Sequence, residues 1–260
     1  MARSDPLPPP DRKATYVRAM FADIARRYDL MNRVMTFGRD QSWRRYAVSQ
    51  LCLDTSPVST SGMATTRPKS TTAQPQAILD VATGTGDLAI EVRRQYPEAR
   101  VVGLDVVPDM LVLAREKTGS RVPVIVGDAL ALPFPEAVFD GVVTGFALRN
   151  VTDIPAAFAE MARVTRPGGR LACLEITRPQ IPLFRQLFGW YFYRLVPIIG
   201  GIVSGKRSAY TYLPHSLTAF PGPAEIAGIM HGVGWDDVSF RRLMFGTVAI
   251  HVGVRRPLKS

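Results

Sequence analysis

From Ala77 to Glu175 short apolar runs alternate with amphipathic stretches, and this alternation limits what the chain can fold into more than any other feature. Strands are expected over 77–81, 100–104, 122–126, 139–144 and 170–175, with helices over 87–95, 108–117 and 154–164 between them. Repeated strand–helix units of this length pack as parallel βαβ crossovers in a doubly wound sheet, so the fold class is α/β. A further helix over 223–232 precedes two strands, 238–242 and 247–254, joined by a short turn.

Ahead of this region Val17, Met20, Phe21, Ile24, Ala25 and Tyr28 fall at helical spacing, which predicts a helix over 14–28. With a second helix over 41–51 it forms a helical cap over 14–53. Residues 1–13 are proline-rich and carry no long apolar run, so they read as a disordered arm and not a signal peptide. Residues 54–76 are rich in Ser, Thr and Pro and read as a flexible insertion, because they bury too little apolar surface to offset ordering. The main domain follows over 77–256, with a substrate- or membrane-facing insertion over 180–215. The apolar stretch 187–203 is interrupted by Arg194, Pro197 and Gly200-Gly201. It is expected to form a buried helix and a mobile loop, not a membrane span.

Composition narrows the function classes. In 260 residues, 47% hydrophobic and 21% charged residues exclude wholesale disorder. Cys52 and Cys173 share no motif and His215, His231 and His251 lie far apart, so no disulfide framework or metal site is expected. Such cysteine usage suits a soluble protein of a reducing compartment. The net charge of +10 is unevenly placed: ten Lys/Arg against five Asp/Glu in 1–53, nine against twelve in 77–169, six against one in 170–210. Basic flanks of this kind meet nucleic acid or an anionic membrane, or are simply a solvated surface.

The first strand runs into Asp80-Val81-Ala82-Thr83-Gly84-Thr85-Gly86-Asp87. Gly84 and Gly86 let the backbone approach a ligand at the first strand-to-helix turn, where a Cβ would collide. Asp105 ends the second strand, where a carboxylate can accept both hydroxyls of a ribose. At this point a nicotinamide dinucleotide and S-adenosylmethionine both fit. Asp80 lies inside the strand, where an acid suits a cationic ligand such as a methionyl sulfonium. Gly127-Asp128-Ala129 follows the third strand, where a carboxylate and a backbone N–H can read an adenine edge. For Asp80 and Asp128 capping or turn formation is the competing role. Pro167-Gly168-Gly169 reads as a tight turn before the fifth strand.

Several motifs together carry a resemblance: Tyr28-Asp29-Leu30-Met31-Asn32, the Leu79–Asp87 loop, Leu132-Pro133-Phe134, Leu148-Arg149-Asn150-Val151, Pro167-Gly168-Gly169, Tyr210-x-Tyr212-Leu213-Pro214-x-Ser216 and Phe220-Pro221. Over 16–254, apart from the insertion, the chain resembles the C-methyltransferases of ubiquinone and menaquinone biosynthesis. The resemblance implies a class I S-adenosylmethionine-dependent methyltransferase fold with a seven-stranded, mostly parallel sheet. It also implies cofactor-binding roles for Thr85, Asp105, Asp128 and Ala129. Two departures stand out: Thr83 where the family usually has a second glycine, and Gly145-Phe146-Ala147 in place of Ser-Phe-Gly.

Methylating an aromatic carbon requires electron density there, and a quinol supplies it when one hydroxyl ionises. A comparable phenol titrates near ~10, so the protein must stabilise the anion and remove a proton. Arg149 cannot be the base, since it stays protonated; its expected work is to stabilise phenolate charge. Asn150 and Tyr28 are expected to orient the ring oxygen or a relay water, unless the Arg-Asn pair only anchors the N-terminal helix. His251 reads as a core histidine and His215 as a turn residue. The proton acceptor stays unassigned.

The acceptor implied is a polyprenyl quinol, which stays in the bilayer. Phe184, Leu187, Phe188, Trp190, Tyr191, Phe192 and Tyr193 interleave with Arg185, Arg194, Lys206 and Arg207, and predict peripheral attachment to an anionic inner membrane face of a cytoplasmic protein. An aromatic stripe packed as core is the alternative. The tyrosine and Phe-Pro wording favours demethylmenaquinol over a methoxybenzoquinol acceptor. A homodimer is left open. A nucleic-acid methyltransferase is disfavoured by the absence of an Asn/Asp-Pro-Pro-Tyr/Phe motif and of a Pro-Cys pair, so no nucleic-acid partner is expected. An NAD-dependent reductase is disfavoured by Asp80, and a non-enzymatic membrane module leaves the glycine turn unexplained.

Overall fold

The computed structural model describes residues 8–9, 12–53, 76–119 and 121–257. The insertion expected over 54–76 lies outside these apart from Gln76, as does most of the expected N-terminal arm.

Seven strands form one sheet in the order β3-β2-β1-β4-β5-β7-β6. They are β1 (Ala77–Val81), β2 (Arg100–Asp105), β3 (Val124–Val126), β4 (Phe139–Gly145), β5 (Thr165–Ile176), β6 (Trp235–Leu243) and β7 (Val248–Arg255). The first five pair in parallel, and β7 runs antiparallel to both neighbours. Period-two alternation divides the core. Ile78, Val143 and Ala172 face α3 (Asp87–Gln95) and α4 (Pro108–Thr118), whereas Leu79, Val142 and Leu171 face α5 (Ile154–Val164) and α9 (Pro223–Gly232). Both faces are covered, as a parallel sheet requires. The sequence-expected alternation is therefore the observed fold, with most boundaries within two residues.

Local chemistry sets the helix ends. The Asp153 side chain accepts the Ala156 N–H at 2.9 Å and so caps α5. Pro108 opens α4, and Gly119 closes it at φ 57°.

Four expectations are corrected. The first helix, α1, runs over Lys13–Thr36, well past Tyr28, because Asp29 and Asn32 do not break it and Met31 is fully buried. It stops where Phe37 and Gly38 turn left-handed and the Gly38 N–H reaches the Arg33 carbonyl at 2.8 Å. After it, α2 covers Asp40–Ser49. Pro167-Gly168-Gly169 is not a turn before β5 but a bulge inside it: the register with β4 shifts between Phe139 and Gly141, and Gly168 takes φ 78°. The apolar stretch is not a buried helix and a loop. It continues helically as α6 (Pro182–Trp190), a π turn (Tyr191–Leu195) and α7 (Val196–Ser204). The π turn admits Pro197, since the register shift lets the Val196 N–H donate to the Tyr191 carbonyl. By length and composition this segment is apolar enough to cross a membrane, and α6 buries none of its residues. Finally, His215 lies within α8 (Arg207–Thr218), edge-on to the Tyr193 ring, and not in a turn.

Candidate active site

The strand order reverses between β1 and β4, and a crevice opens there at the carboxyl ends of the strands. The chain leaves both strands through left-handed residues: Ala82 at φ 56° and Gly84 at φ 56° after β1, Phe146 at φ 59° after β4. Positive φ at a non-glycine residue costs energy and concentrates where a backbone must be held in one shape. A cavity of 130 Å³ occupies the crevice, lined by Gly84, Asp105, Asp128, Ala129, Tyr28 and Asn150 among others. Six of the ten sequence-expected site residues thus share one wall.

Asp105 ties this wall together. It is buried, and its two oxygens accept the Gly84 N–H at 2.8 Å and the Val107 N–H at 2.9 Å. Burial raises its pKa above the usual carboxylate value. Asp128 accepts the Leu130 N–H at 3.0 Å, which shapes the turn after β3. A Cβ at Gly127 would stand 2.7 Å from Leu104, so the backbone lies close against β2 there.

Asp80, Thr85 and Gly86 lie behind the cavity wall. Asp80 is wholly buried under the loop, where it accepts the Thr83 hydroxyl at 2.6 Å and the Ala89 N–H at 3.0 Å. Burial pushes its carboxyl up to about 7. Thr83, the departure from the family glycine, therefore serves as a hydrogen-bond donor to Asp80. The Thr85 hydroxyl donates to Asp29 of α1 at 2.6 Å, and Lys117 binds Asp29 at 2.7 Å and Asp87 at 2.5 Å. Burial alone would raise the Asp87 pKa, but Arg44 and Lys117 hold it below the ordinary value. Gly86 starts α3 at φ 87°, and a Cβ there would press on Ala114 and Thr118 at 3.4 Å. At Gly145 a Cβ would meet Leu88 at 2.9 Å, which explains a glycine in that departure.

A second cavity of 430 Å³ lies beyond Tyr28 and Phe146, which border both spaces. Its wall is mostly apolar, with Trp43, Phe184, Phe188, Phe192, Leu213 and Phe245 contributing. The polar exceptions include Asn32, Asp40 and Arg149. Arg149 is 6% exposed, sits in the 3₁₀ turn Leu148–Asn150, and donates from Nη1 to the Phe146 carbonyl. The same nitrogen lies 3.4 Å from Glu175 Oε2, while Glu175 Oε1 accepts the Leu148 N–H at 2.7 Å. Burial raises the Glu175 pKa and the nearby Arg149 charge opposes that rise. Sequence reading missed Glu175, although an acid at the end of the apolar run Leu171–Leu174 was a visible signal. It also assigned no role to Asn32 and Phe146, although both stand in the motifs quoted above, and it missed Asp40, which nothing local marks.

A pocket of 30 Å³, lined by Tyr28, Asn32, Arg149, Asn150, Tyr210 and Tyr212, shares wall residues with both cavities. Tyr28 lines all three spaces. Burial pushes the Tyr210 phenol up to about 12. His251 lies elsewhere, in β7 against the Pro223 carbonyl at 3.0 Å, and burial lowers it to about 4. That is the core histidine expected from the sequence.

Known proteins supply the family. A family model described as the ubiE/COQ5 methyltransferase family matches residues 10–255. The chain is 45% identical over 251 residues to a demethylmenaquinone methyltransferase of Roseiflexus castenholzii, covering 96% of this chain and 98% of the relative. It is 38% identical over 247 residues to a ubiquinone/menaquinone biosynthesis C-methyltransferase UbiE of Geobacter sulfurreducens, covering 93% and 89%. A solved S-adenosylmethionine-dependent methyltransferase of Thermotoga maritima superposes with TM-score 0.61 at 16% identity, covering 92% of this chain and 99% of that one, which speaks to the fold. The reductase and non-enzymatic readings therefore fall away. The chain belongs to the ubiE/COQ5 methyltransferase family.

Proposed function

We propose that the protein methylates a ring carbon of a polyprenyl quinol with S-adenosylmethionine, and that its acceptor is demethylmenaquinol. One observation carries the reading: a glycine- and carboxylate-lined crevice at the sheet's switch point meets a larger apolar cavity across Tyr28 and Phe146. The relatives at 43–45% identity carry the demethylmenaquinone name, which supports a naphthoquinol over a benzoquinol.

The residues present fit the cofactor. Asp105 offers its remaining lone pairs to a ribose diol, Asp128 and the Ala129 N–H suit an adenine edge, and Gly84 leaves room for a close approach. When bound, the cofactor supplies an electrophilic methyl on a sulfonium. Arg149 faces the acceptor's ring oxygen and stabilises its phenolate form in a water-poor wall, which raises electron density at the adjacent carbon. With the cofactor bound, that carbon would take the methyl, a neutral thioether would leave, and the ring proton would pass to water. Tyr28 and Asn150 orient the ring, and Tyr28 and Phe146 set the approach of the two reactants. Glu175 holds Arg149 in place from behind.

The apolar tail calls for a membrane. Leu183 (79% exposed), Leu187, Trp190 and Ile202 (80%) project from the helical stretch Pro182–Ser204, and Phe37 and Phe245 stand exposed at the large cavity. Arg185 and Arg194 are exposed on the same stretch. These features support peripheral attachment of a cytoplasmic enzyme to an anionic inner leaflet.

Labelled methyl transfer tests the reading directly. Demethylmenaquinol should be methylated well ahead of a methoxy-polyprenyl-benzoquinol, and equal or inverted preference would move the acceptor to the benzoquinol. Transfer to neither, with transfer to nucleic acid, would end the quinol reading.

A further inference from the structure

We infer that Asn32 is a second oxyanion donor of the acceptor site, acting beside Arg149 on the same ring oxygen. This rests on the proposed reading that the quinol ring lies at Arg149.

Two buried side-chain donors on this wall have no hydrogen-bond partner: Asn32 Nδ2 and Arg149 Nε. Buried donors are nearly always paired, so two unpaired ones on one wall point to a ligand that supplies the acceptor. Asn32 and Arg149 both line the 430 Å³ cavity and both line the small pocket, so they border the same two spaces. The Nη1 of Arg149 is engaged by the Phe146 carbonyl and Glu175, while Nε is a buried donor with no protein partner.

The two donors come from separate elements. Asn32 stands one helical turn after Tyr28 on α1, so both side chains share a face of that helix. Arg149 comes from the turn after β4. A ring oxygen that becomes anionic in a mostly apolar cavity needs more than one donor to replace its hydration. An amide suits the second place. It donates without adding charge, whereas a carboxylate there would repel the phenolate. The neighbouring Asn150 Oδ1 and Tyr212 hydroxyl, also unpaired, lie in the small pocket and stay off the large-cavity wall.

The test compares Asn32→Asp, Asn32→Ser and Arg149→Ala with the full-length wild type, using demethylmenaquinol as acceptor. Removing one oxyanion donor lowers kcat by about 10²-fold, and this is the loss expected for Asn32→Asp and Asn32→Ser. Cofactor affinity by calorimetry should stay unchanged, because Asn32 does not line the crevice cavity. A purely structural role would not move the second readout. A bound monoalkylated naphthohydroquinone, followed by the absorbance of its anion, should ionise at higher pH in Asn32→Ser than in wild type. If Asn32→Asp does not fold, Asn32→Ser decides by the same two readouts.

Unchanged turnover and unchanged probe ionisation in the Asn32 variants, with turnover lost in Arg149→Ala, would overturn the inference and leave the proposed function standing. Unchanged turnover in all three variants would overturn the placement of the ring as well.

Discussion

The proposed chemistry rests most heavily on Arg149, which is buried, held by a carbonyl and a carboxylate, and lines the apolar cavity. Arg149→Ala is expected to lower kcat by about 10²- to 10³-fold with little change in cofactor affinity; equal loss of both in steady-state kinetics and calorimetry would count against the role. Asp80 gives a stability prediction. Its carboxyl ionises at about 7 in the fold against an ordinary 3.8, so the fold favours its protonated form. The stability it contributes is present below pH 3.8 and is lost as pH rises through about 7. His251, lowered to about 4, acts with the opposite sign: its contribution is present above its ordinary 6.5 and is lost as pH falls through about 4. The wild-type Tm profile therefore hides both. Asp80→Asn should unmask a rise in Tm with pH between about 4 and 6.5, and a variant profile parallel to wild type would refute the assignment. At this scale much was legible. Gly84, Asp105 and Asp128 line one crevice and Arg149 the adjoining cavity, because each stands at a strand's carboxyl end or a few residues past it. Thr85 and Gly86 were legible as loop residues only; that the first ties down α1 and the second packs against α4 depends on neighbours far along the chain.

At the scale of elements, α1 is a cover and the glycine loop its anchor. Ala14, Val17 and Phe21 of α1 line the crevice cavity, and Asp29 fastens the helix to Thr85 and Lys117. A partly exposed cluster of this kind contributes about 1 kcal/mol. Asp29→Ala should therefore speed cofactor release about fivefold in stopped-flow, an effect that would be absent if α1 moved independently of the loop. The junction of α7 and α8 rests on one glycine. A Cβ at Gly200 would stand 2.2 Å from the Tyr210 ring, closer than any atoms pack, so the helices must separate. Overpacking of this kind costs about 1–3 kcal/mol. Gly200→Ala should lower the denaturation midpoint by a matching amount and perturb the Tyr210 side of the small pocket. Periodicity announced α3, α4, α5 and α9, whose apolar stripes face one sheet. It misjudged α6 and α7, because a stripe on an exposed helix and a stripe in a core have the same sequence appearance.

For the molecule as a whole, the basic helical stretch and the exposed Leu183, Trp190, Ile202 and Phe245 predict binding to anionic vesicles that weakens with salt. Replacing Arg185 and Arg194 by Gln should weaken it by about 1 kcal/mol per residue, roughly fivefold each; co-sedimentation indifferent to anionic lipid would sink the attachment. The sequence by itself determined the α/β sheet, the order of its first five strands' chemistry and the acids at their ends. Those are local facts: a two-residue period, a glycine turn and a residue just past a strand are all written within a few positions. Only the tertiary structure decided that Tyr28 borders all three cavities, that Glu175 stands behind Arg149, and that Asn32 and Arg149 border the same two spaces. Those pairings join α1, β5 and the turn after β4, over separations of up to about a hundred residues or more. They follow from how the helix packs over the sheet edge, and no short window of sequence carries that information.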